Sequence, residues 1–546
     1  MAMSWAEWGE EAFARARGEG KPVLLWLAAT WCHACHRMDD ETWGDPGVAA
    51  VVEQTMVAVR VDADERPDLY AHYHLGGLPT TAILGGEGEF IRGGTFLSPT
   101  QCLTLLDMAL GDFASGRRPQ PRVAAVAPPP LRLVDEIVQR LCRRADLEHG
   151  GFGVAPKLPE ADAVTLLLRR WRASREPALE RIARLTLDAV ARHLADPVDG
   201  GCYRYAAAQD WSGPHTEKLA VDQAALIRLF LEAAQSLGER RYLDVARAAL
   251  GHARRRLADE AGRVLASMAA DPGYYARRDA PGAPGEPDDL PAVDRRRFAD
   301  ASAAMTSAAL LALAVTGEDA GIRTEVFAVA PAGAVPHRLD EPGEVIGLLR
   351  DQALAISAAV DSYRLAGDPG SLGFALSAAA WSIESLWDDT QGAFRSAPTK
   401  VGALALPPVT PLTANGEMAL ALADLAAHAD RPDLRSVARR VVDSLAARAV
   451  RSPAGSAVGL AALRLEEDPP KADLVGEPSD VRACALARAV VGALGPTTVV
   501  RWKPGHPPSL MLCVRDLCLP PLEDAGELLE SLVDLGLAPG GILGGN

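Results

Sequence analysis

Cysteine is scarce in this chain, with eight residues in 546, and those eight are scattered without a regular spacing, so no disulfide framework of the secreted kind is expected. Basic charge is also in deficit. Lys and Arg number 56 against 72 Asp and Glu, a formal charge of −16, which opposes binding to phosphate backbones or anionic membrane surfaces. No apolar run reads as long enough to span a bilayer. The first ten residues, Met1 to Glu10, lack both a basic n-region and an apolar h-region, which points to a cytoplasmic protein. Hydrophobic residues at 48% and charged residues at 23% match soluble globular chains, and the length supports roughly two to four domains.

Against this background one motif stands out. Trp31-Cys32-His33-Ala34-Cys35-His36 follows directly on the apolar run Pro22 to Ala28, where a buried strand should give way to a helix. The unpaired N–H groups and the dipole of a helix N-terminus favour an anion, lowering a cysteine pKa and populating the thiolate. Cys32 is then the candidate attacking thiol and Cys35 the resolving one. The surroundings fit. Helix is predicted at 5–19, strand at 22–28, helix at 33–42, strand at 55–62, helix near 67–74, an antiparallel pair at 76–84 and 89–96, and helix at 99–114. The same residues leave other chemistry open. Cys32 to His36 also fits a Cys-x-x-Cys-His haem-attachment pattern, and His72 and His74 could join the cysteines around zinc.

Residues 117–130 are rich in proline and read as an extended linker between domains. Beyond them Ala/Leu/Arg-rich segments at helical spacing dominate, at 161–195, 217–236, 240–257, 298–315, 345–365, 371–386, 415–428 and 432–449. Their punctuation recurs as Asp146 to Gly150-Gly151-Phe152, Asp196 to Gly200-Gly201-Cys202-Tyr203, and more weakly Asp388 to Gly392-Ala393-Phe394. The first two glycine pairs lie 50 residues apart, about one helical hairpin with its loop, which points to stacked hairpins closing into a double ring. From 471 the chain reads as a small α/β tail, either an annex on the ring or a separate unit. The segment from Arg277 to Pro291 reads as a mobile loop or lid. The expected division is therefore 1–116, an α/β domain around the cysteine pair; 117–130, the linker; 131–470, the helical ring; and 471–546, the tail.

Trp8 to Phe13, Lys21-Pro22, Cys32 to His36, Val61-Asp-Ala-Asp-Glu-Arg-Pro-Asp68 and Gly94 to Phe96 resemble the spermatogenesis-associated thioredoxin-domain family. The resemblance continues through Gly150 to Lys157, Gly200 to Tyr205, Trp211 to Lys218 and Cys513 to Cys518. It implies a multidomain protein: an N-terminal α/β thioredoxin-like domain, then an all-α (α/α)6 toroid of the six-hairpin glycosidase and N-acylglucosamine 2-epimerase kind, with a small α/β C-terminal segment. It matches Pro79 to the cis-proline that thioredoxin relatives place opposite their cysteines, and Trp26 to the position of a buried carboxylate. The chain departs from the family at Ala34, where tryptophan is usual, at Thr216 to Ala224, at Ala269 to Tyr275 and at Thr413 to Gly416.

Three functions follow from these residues. The first is thiol–disulfide exchange by Cys32, Cys35 and Pro79 on a client protein's disulfide, without a cofactor. The second is a carbohydrate-active isomerase or hydrolase in the ring's cavity, where an aromatic face packs on a sugar and His or Glu moves protons. Its candidates are Lys157, Arg204, Tyr205, Trp211, His215, Glu217, Asp222 and Asp351, with a small sugar-like ligand as partner. The third is a non-catalytic binding scaffold, in which the same polar groups hold loop backbones. Cys513 and Cys518 read as structural cysteines.

Overall fold

Every residue of Val23–Ala28 (β1) is buried, because both faces of its sheet are covered. The computed structural model describes residues 3–117, 132–279, 290–330, 332–398 and 409–537, and the linker expected at 117–130 lies almost wholly outside them. The first domain runs α1 (Glu10–Glu19), β1, α2 (His33–Met38), α3 (Pro46–Thr55), β2 (Val57–Asp62), α4 (Pro67–Tyr73), β3 (Thr80–Leu84), β4 (Phe90–Gly94) and α5 (Pro99–Ala114). The strand order is β2-β1-β3-β4, with β1 parallel to β2, and β3 antiparallel to both β1 and β4. Side chains alternate across β1, as the pleat requires. Leu24, Trp26 and Ala28 pack with Val48, Cys102 and Leu106 on one face, while Val23, Leu25 and Leu27 pack with Phe13, Leu69 and Tyr73 on the other.

Two local expectations change. The first helix starts at Glu10, not residue 5, since Ala6 instead bridges to Val59 along the outer side of β2. A helix not anticipated, α3, intervenes before β2: Asp45 caps it by accepting from the Gly47 and Val48 amides, and Pro46 opens it with a fixed φ. Beyond Met38 the chain continues as one π-helical turn, Asp39–Trp43.

The ring begins with α6 (Leu133–Arg144) and continues through α7 (Ala161–Ser174), α8 (Pro177–His193), α9 (Ala220–Leu237), α10 (Arg240–Arg256), the short α11 (Pro272–Arg278), α12 (Ala299–Thr316), the one-turn α13 (Val326–Val329), α14 (Leu349–Ala366), α15 (Pro369–Leu386), α16 (Leu412–Ala429), α17 (Pro432–Arg451) and α18 (Ser456–Glu466). Helices α7, α9, α12, α14, α16 and α18 each pack on the next, and α18 closes on α7. The outer layer is α6, α8, α10, α15 and α17, with α13 a rudimentary member beside α12. Covered on every side, α12 is apolar all round. Contrary to the sequence expectation, its 18 residues are long and apolar enough to cross a membrane, yet 67% of them are buried within the protein, as a core helix demands.

The Asp-Gly-Gly punctuation closes each hairpin in the same way. Asp146 accepts from the Glu148 and His149 amides, Asp196 from Val198 and Asp199, and Asp388 from Thr390 and Gln391. The chain then pairs back on itself, Ala145 with Phe152, Ala195 with Cys202 and Trp387 with Phe394. Glycine is required at Gly150 (φ 77°), where a Cβ would lie 2.5 Å from the Leu185 carbonyl oxygen. Amide side chains in the first turns of the inner helices clamp these loops: Gln223 exchanges two hydrogen bonds with the backbone of Cys202, and Asn415 with that of Phe394. Gln352 does the same between Val335 and Gly333.

The tail is an annex of the ring. Strands Val499–Lys503, Lys471–Val475, Ser509–Val514 and Leu517–Cys518 form a sheet in that order, with α19 (Val481–Leu494) against it and α20 (Ala525–Asp534) against α19. It plugs the C-terminal ends of the inner helices: Gln235 donates to the Val491 and Gly492 carbonyls, Arg172 to that of Leu494, and the Trp502 indole to that of Arg364. Strand register places Cys513 opposite Cys518, and the two form a disulfide, which the sequence had not led us to expect.

Candidate functional site

The end of β1 delivers Cys32 to the N-cap of α2, and there its sulfur accepts the backbone N–H of Cys35 at 3.2 Å. A thiolate at this position meets both a hydrogen-bond donor and the positive end of a helix dipole. Cys32 and Cys35 are joined as a disulfide, with Cα atoms 5.3 Å apart, and are 5% and 1% exposed. The Leu78–Pro79 peptide bond is cis, and Leu78 packs against the apolar cluster that contains both cysteines. Trp26 is fully buried, stacked on Trp5 at 5.5 Å, with the Arg60 guanidinium 4.4 Å from its ring. Arg60 in turn bridges to Asp39, whose pKa is raised by burial. His72 and His74 face Tyr73 and Tyr70, away from any shared ligand set with the cysteines among the described residues.

The motif does not face open solvent on all sides, because the ring docks beside it. Trp31, 4% exposed, receives the Arg204 guanidinium 4.2 Å from its ring centroid and accepts the Ala270 N–H at its carbonyl. Its indole N–H donates to Asp64, whose carboxyl burial raises to a pKa of about 7. Thr30 donates to Asp294 at 2.9 Å. Arg296 pairs with Asp62 at 3.0 Å and Glu65 at 2.8 Å, and Arg338 joins it on Glu65. The Asp62-to-Glu65 part of the sequence block Val61 to Asp68 is thus the first domain's half of a seam.

His337 lies at the centre of that seam. Its Nδ1 is 2.9 Å from Asp351 and its Nε2 is 2.6 Å from the Asp64 carbonyl. The Asp64 carbonyl can only accept, so Nε2 donates to it, and beside an ionised Asp351 the Nδ1 donates as well, which makes the ring an imidazolium. Burial opposes that charge, but Asp351 outweighs it and lifts the pKa to about 10. Ligand atoms of Asp300, His337 and Asp351 lie within 4.8 Å of one another. A cation there would need a ring lone pair that these two hydrogen bonds already consume.

Behind the seam opens a cavity of about 440 Å³, lined by residues from the N-terminal ends of the inner helices, among them Asp162, Asp222, Arg350, Thr413, Glu417 and Ser456. The inner helices therefore aim their positive ends at it, and Asp162, Asp222, Asp300 and Asp351 in their first turns answer that field. Arg350 bridges Glu417 and Asp300, and burial raises Glu417 to about 7.

The predicted cavity residues separate. Arg204 and Asp222 line the cavity and pair at 3.3 Å. Tyr205, His215 and Glu217 are not among its lining residues: Tyr205 stacks on His215 at 4.1 Å, with Glu217 at 4.0 Å from His215, and burial lowers the pKa of His215 and raises that of Glu217. Asp351 belongs to His337. Lys157 and Trp211 do not reach the cavity: the buried Lys157 ammonium binds Asp146 and the Gly150 and Gly153 carbonyls, and Trp211 donates to the His149 carbonyl over Gly151. Lys218 performs the same task on Asp196 and Gly200. Sequence reasoning passed over Arg350, Glu417, Asp300 and His337. For Asp300 a signal existed, an acid in the first turn of an apolar helix.

Residues 1–109 match the Thioredox_DsbH family, described as a protein of unknown function, DUF255. The chain is similar to spermatogenesis-associated protein 20 over about half of its length. It is 29% identical to the Homo sapiens protein over 325 residues, 52% of this chain and 39% of that one, so it spans about two fifths of the length of such curated relatives. A shorter likeness, 35% over 79 residues and 14% of each chain, is to the thiol:disulfide interchange protein DsbD of Escherichia coli (strain K12). A sugar epimerase from a ruminal bacterium aligns over 57% of this chain and 85% of its own at a TM-score of 0.46 and 12% identity. The protein is a thioredoxin-like domain carrying Cys32-x-x-Cys35, fused to a closed ring of paired helices.

Proposed function

We propose that the protein performs thiol–disulfide exchange, with Cys32 as nucleophile, Cys35 as resolving thiol and cis-Pro79 shaping the substrate side. The observation that carries this reading is the Cys32 sulfur at the N-cap of α2, accepting the Cys35 N–H. In the reducing direction the Cys32 thiolate attacks a substrate disulfide, forming a mixed disulfide and releasing one substrate thiolate. Cys35, as thiolate, then attacks the Cys32 sulfur, releasing the second and leaving the Cys32–Cys35 disulfide. Two electrons pass from protein to substrate. A cytoplasmic setting belongs to the same proposal, with Cys102, Cys142, Cys202 and Cys484 as free thiols beside the Cys513–Cys518 disulfide. Incubating reduced Cys35→Ser protein with a disulfide substrate should accumulate the mixed disulfide on Cys32, readable as added mass, whereas Cys32→Ser should form none. Equal adducts on both variants would contradict the assignment.

The cavity supports a second reading, a sugar-like ligand handled by acid–base chemistry. Its volume falls in the range of small-molecule sites, and Glu417 with a pKa of about 7 could both hold and release a proton near neutrality. Calorimetric titration with monosaccharides and disaccharides should give heat that Glu417→Gln removes; a flat titration of the unaltered protein rejects this reading.

A further inference from the structure

We propose that the disulfide exchanged at this centre belongs to a low-molecular-weight compound, not to a folded protein; the inference rests on the exchange reading above. A protein partner of Cys32 must lay its chain over the surface that Trp31 and its neighbours form. Here the ring already holds that surface. Arg204 covers the Trp31 ring, Ala270 takes the Trp31 carbonyl, and Thr30 is tied to Asp294. Leu219, Val221 and Ala269 of the ring pack into the apolar cluster that contains Cys32 and Cys35. The Arg296 pairs with Asp62 and Glu65 and the imidazolium of His337 on the Asp64 carbonyl lock the two domains in this arrangement.

Part of the first domain's surface stays uncovered. His74, Leu75 and Gly76, in the loop that leads to cis-Pro79, are exposed, and Leu75 keeps 39% of its surface. A compound the size of a few residues can approach from there while the seam stays closed. A folded protein must wait for the domains to part. The reaction is the exchange written above: the reduced Cys32–Cys35 pair supplies two electrons, the small disulfide is the oxidant, and two small thiols leave.

The test is to mix fully reduced full-length protein with hydroxyethyl disulfide, oxidised glutathione or insulin, and follow Cys32–Cys35 oxidation by quenched alkylation and mass spectrometry. The small disulfides should react about a hundredfold faster per disulfide than insulin, the factor expected when the protein substrate requires an open state populated at about 1%. Equal rates for insulin and the small disulfides would overturn the proposal while leaving exchange intact. No reaction with any of the three would overturn exchange itself. In Ala269→Arg, a charge forced into the apolar seam should expose the Ala270 amide to hydrogen exchange and raise the ratio of the insulin rate to the small-disulfide rate at least about tenfold. An exposed Ala270 amide without a faster insulin reaction would contradict the claim that the ring is the obstacle.

Discussion

A buried charge is stable only while its partner stays in place, and Lys157 shows how much of this ring depends on that rule. Its ammonium, without solvent contact, satisfies Asp146 and two loop carbonyls at once. Lys157→Met would leave the Asp146 carboxylate short of its cation and should cost about 3 kcal/mol, seen as a lowered urea midpoint of the ring's unfolding transition. His337 carries a pH dependence whose sign is fixed by its environment. Its pKa rises from 6.5 to about 10 in the folded chain, so the stability it contributes is complete below about 6.5 and is lost as pH climbs through about 10. The melting temperature of the native protein should therefore fall between those values more steeply than that of His337→Gln. Parallel curves would show that the imidazolium does not hold the seam.

At the level of elements, α9 and α14 each do two jobs with their first turns: an acid, Asp222 or Asp351, answers the helix's positive end, and an amide, Gln223 or Gln352, clamps the preceding loop, a clamp that Asn415 repeats in α16. Asn415→Ala would strand both the N–H and the C=O of Phe394 in the core and should cost about 3 kcal/mol, measured as a shift in denaturant midpoint. The helices themselves were legible because their apolar periodicity is strong, as over 240–257, where α10 spans Arg240–Arg256. The segment 161–195, read as one stretch, is two helices, because Pro177 opens α8 after Arg175 adopts a left-handed φ of 56°. The cysteine motif was legible too, since strand, Cys-x-x-Cys and helix are adjacent in sequence. The cavity was not. Arg350, Glu417 and Asp162 meet only through ring closure, and Lys157 and Trp211 looked like cavity residues because a buried structural lysine and a functional one have the same sequence signature. The expected lid at 277–291 lies largely outside the described residues.

Across the whole molecule, three units share one axis of organisation. The C-terminal annex seals the carbonyl ends of the inner helices, and the thioredoxin-like domain sits over their amide ends, where the cavity opens. Arg204 touches both sides of that junction, Trp31 in the cysteine motif and Asp222 in the cavity. The proposed thiol–disulfide exchange depends on Cys32 and Cys35 being a reversible couple. The most direct measurement is a titration of the purified full-length protein across a glutathione gradient, with free thiols trapped by alkylation and Cys32 and Cys35 read by mass spectrometry. A reversible Cys32–Cys35 disulfide with a potential between about −120 and −270 mV is the result expected of a thiol oxidoreductase. Two thiols that never pair, or a pair held by stoichiometric zinc, would contradict it.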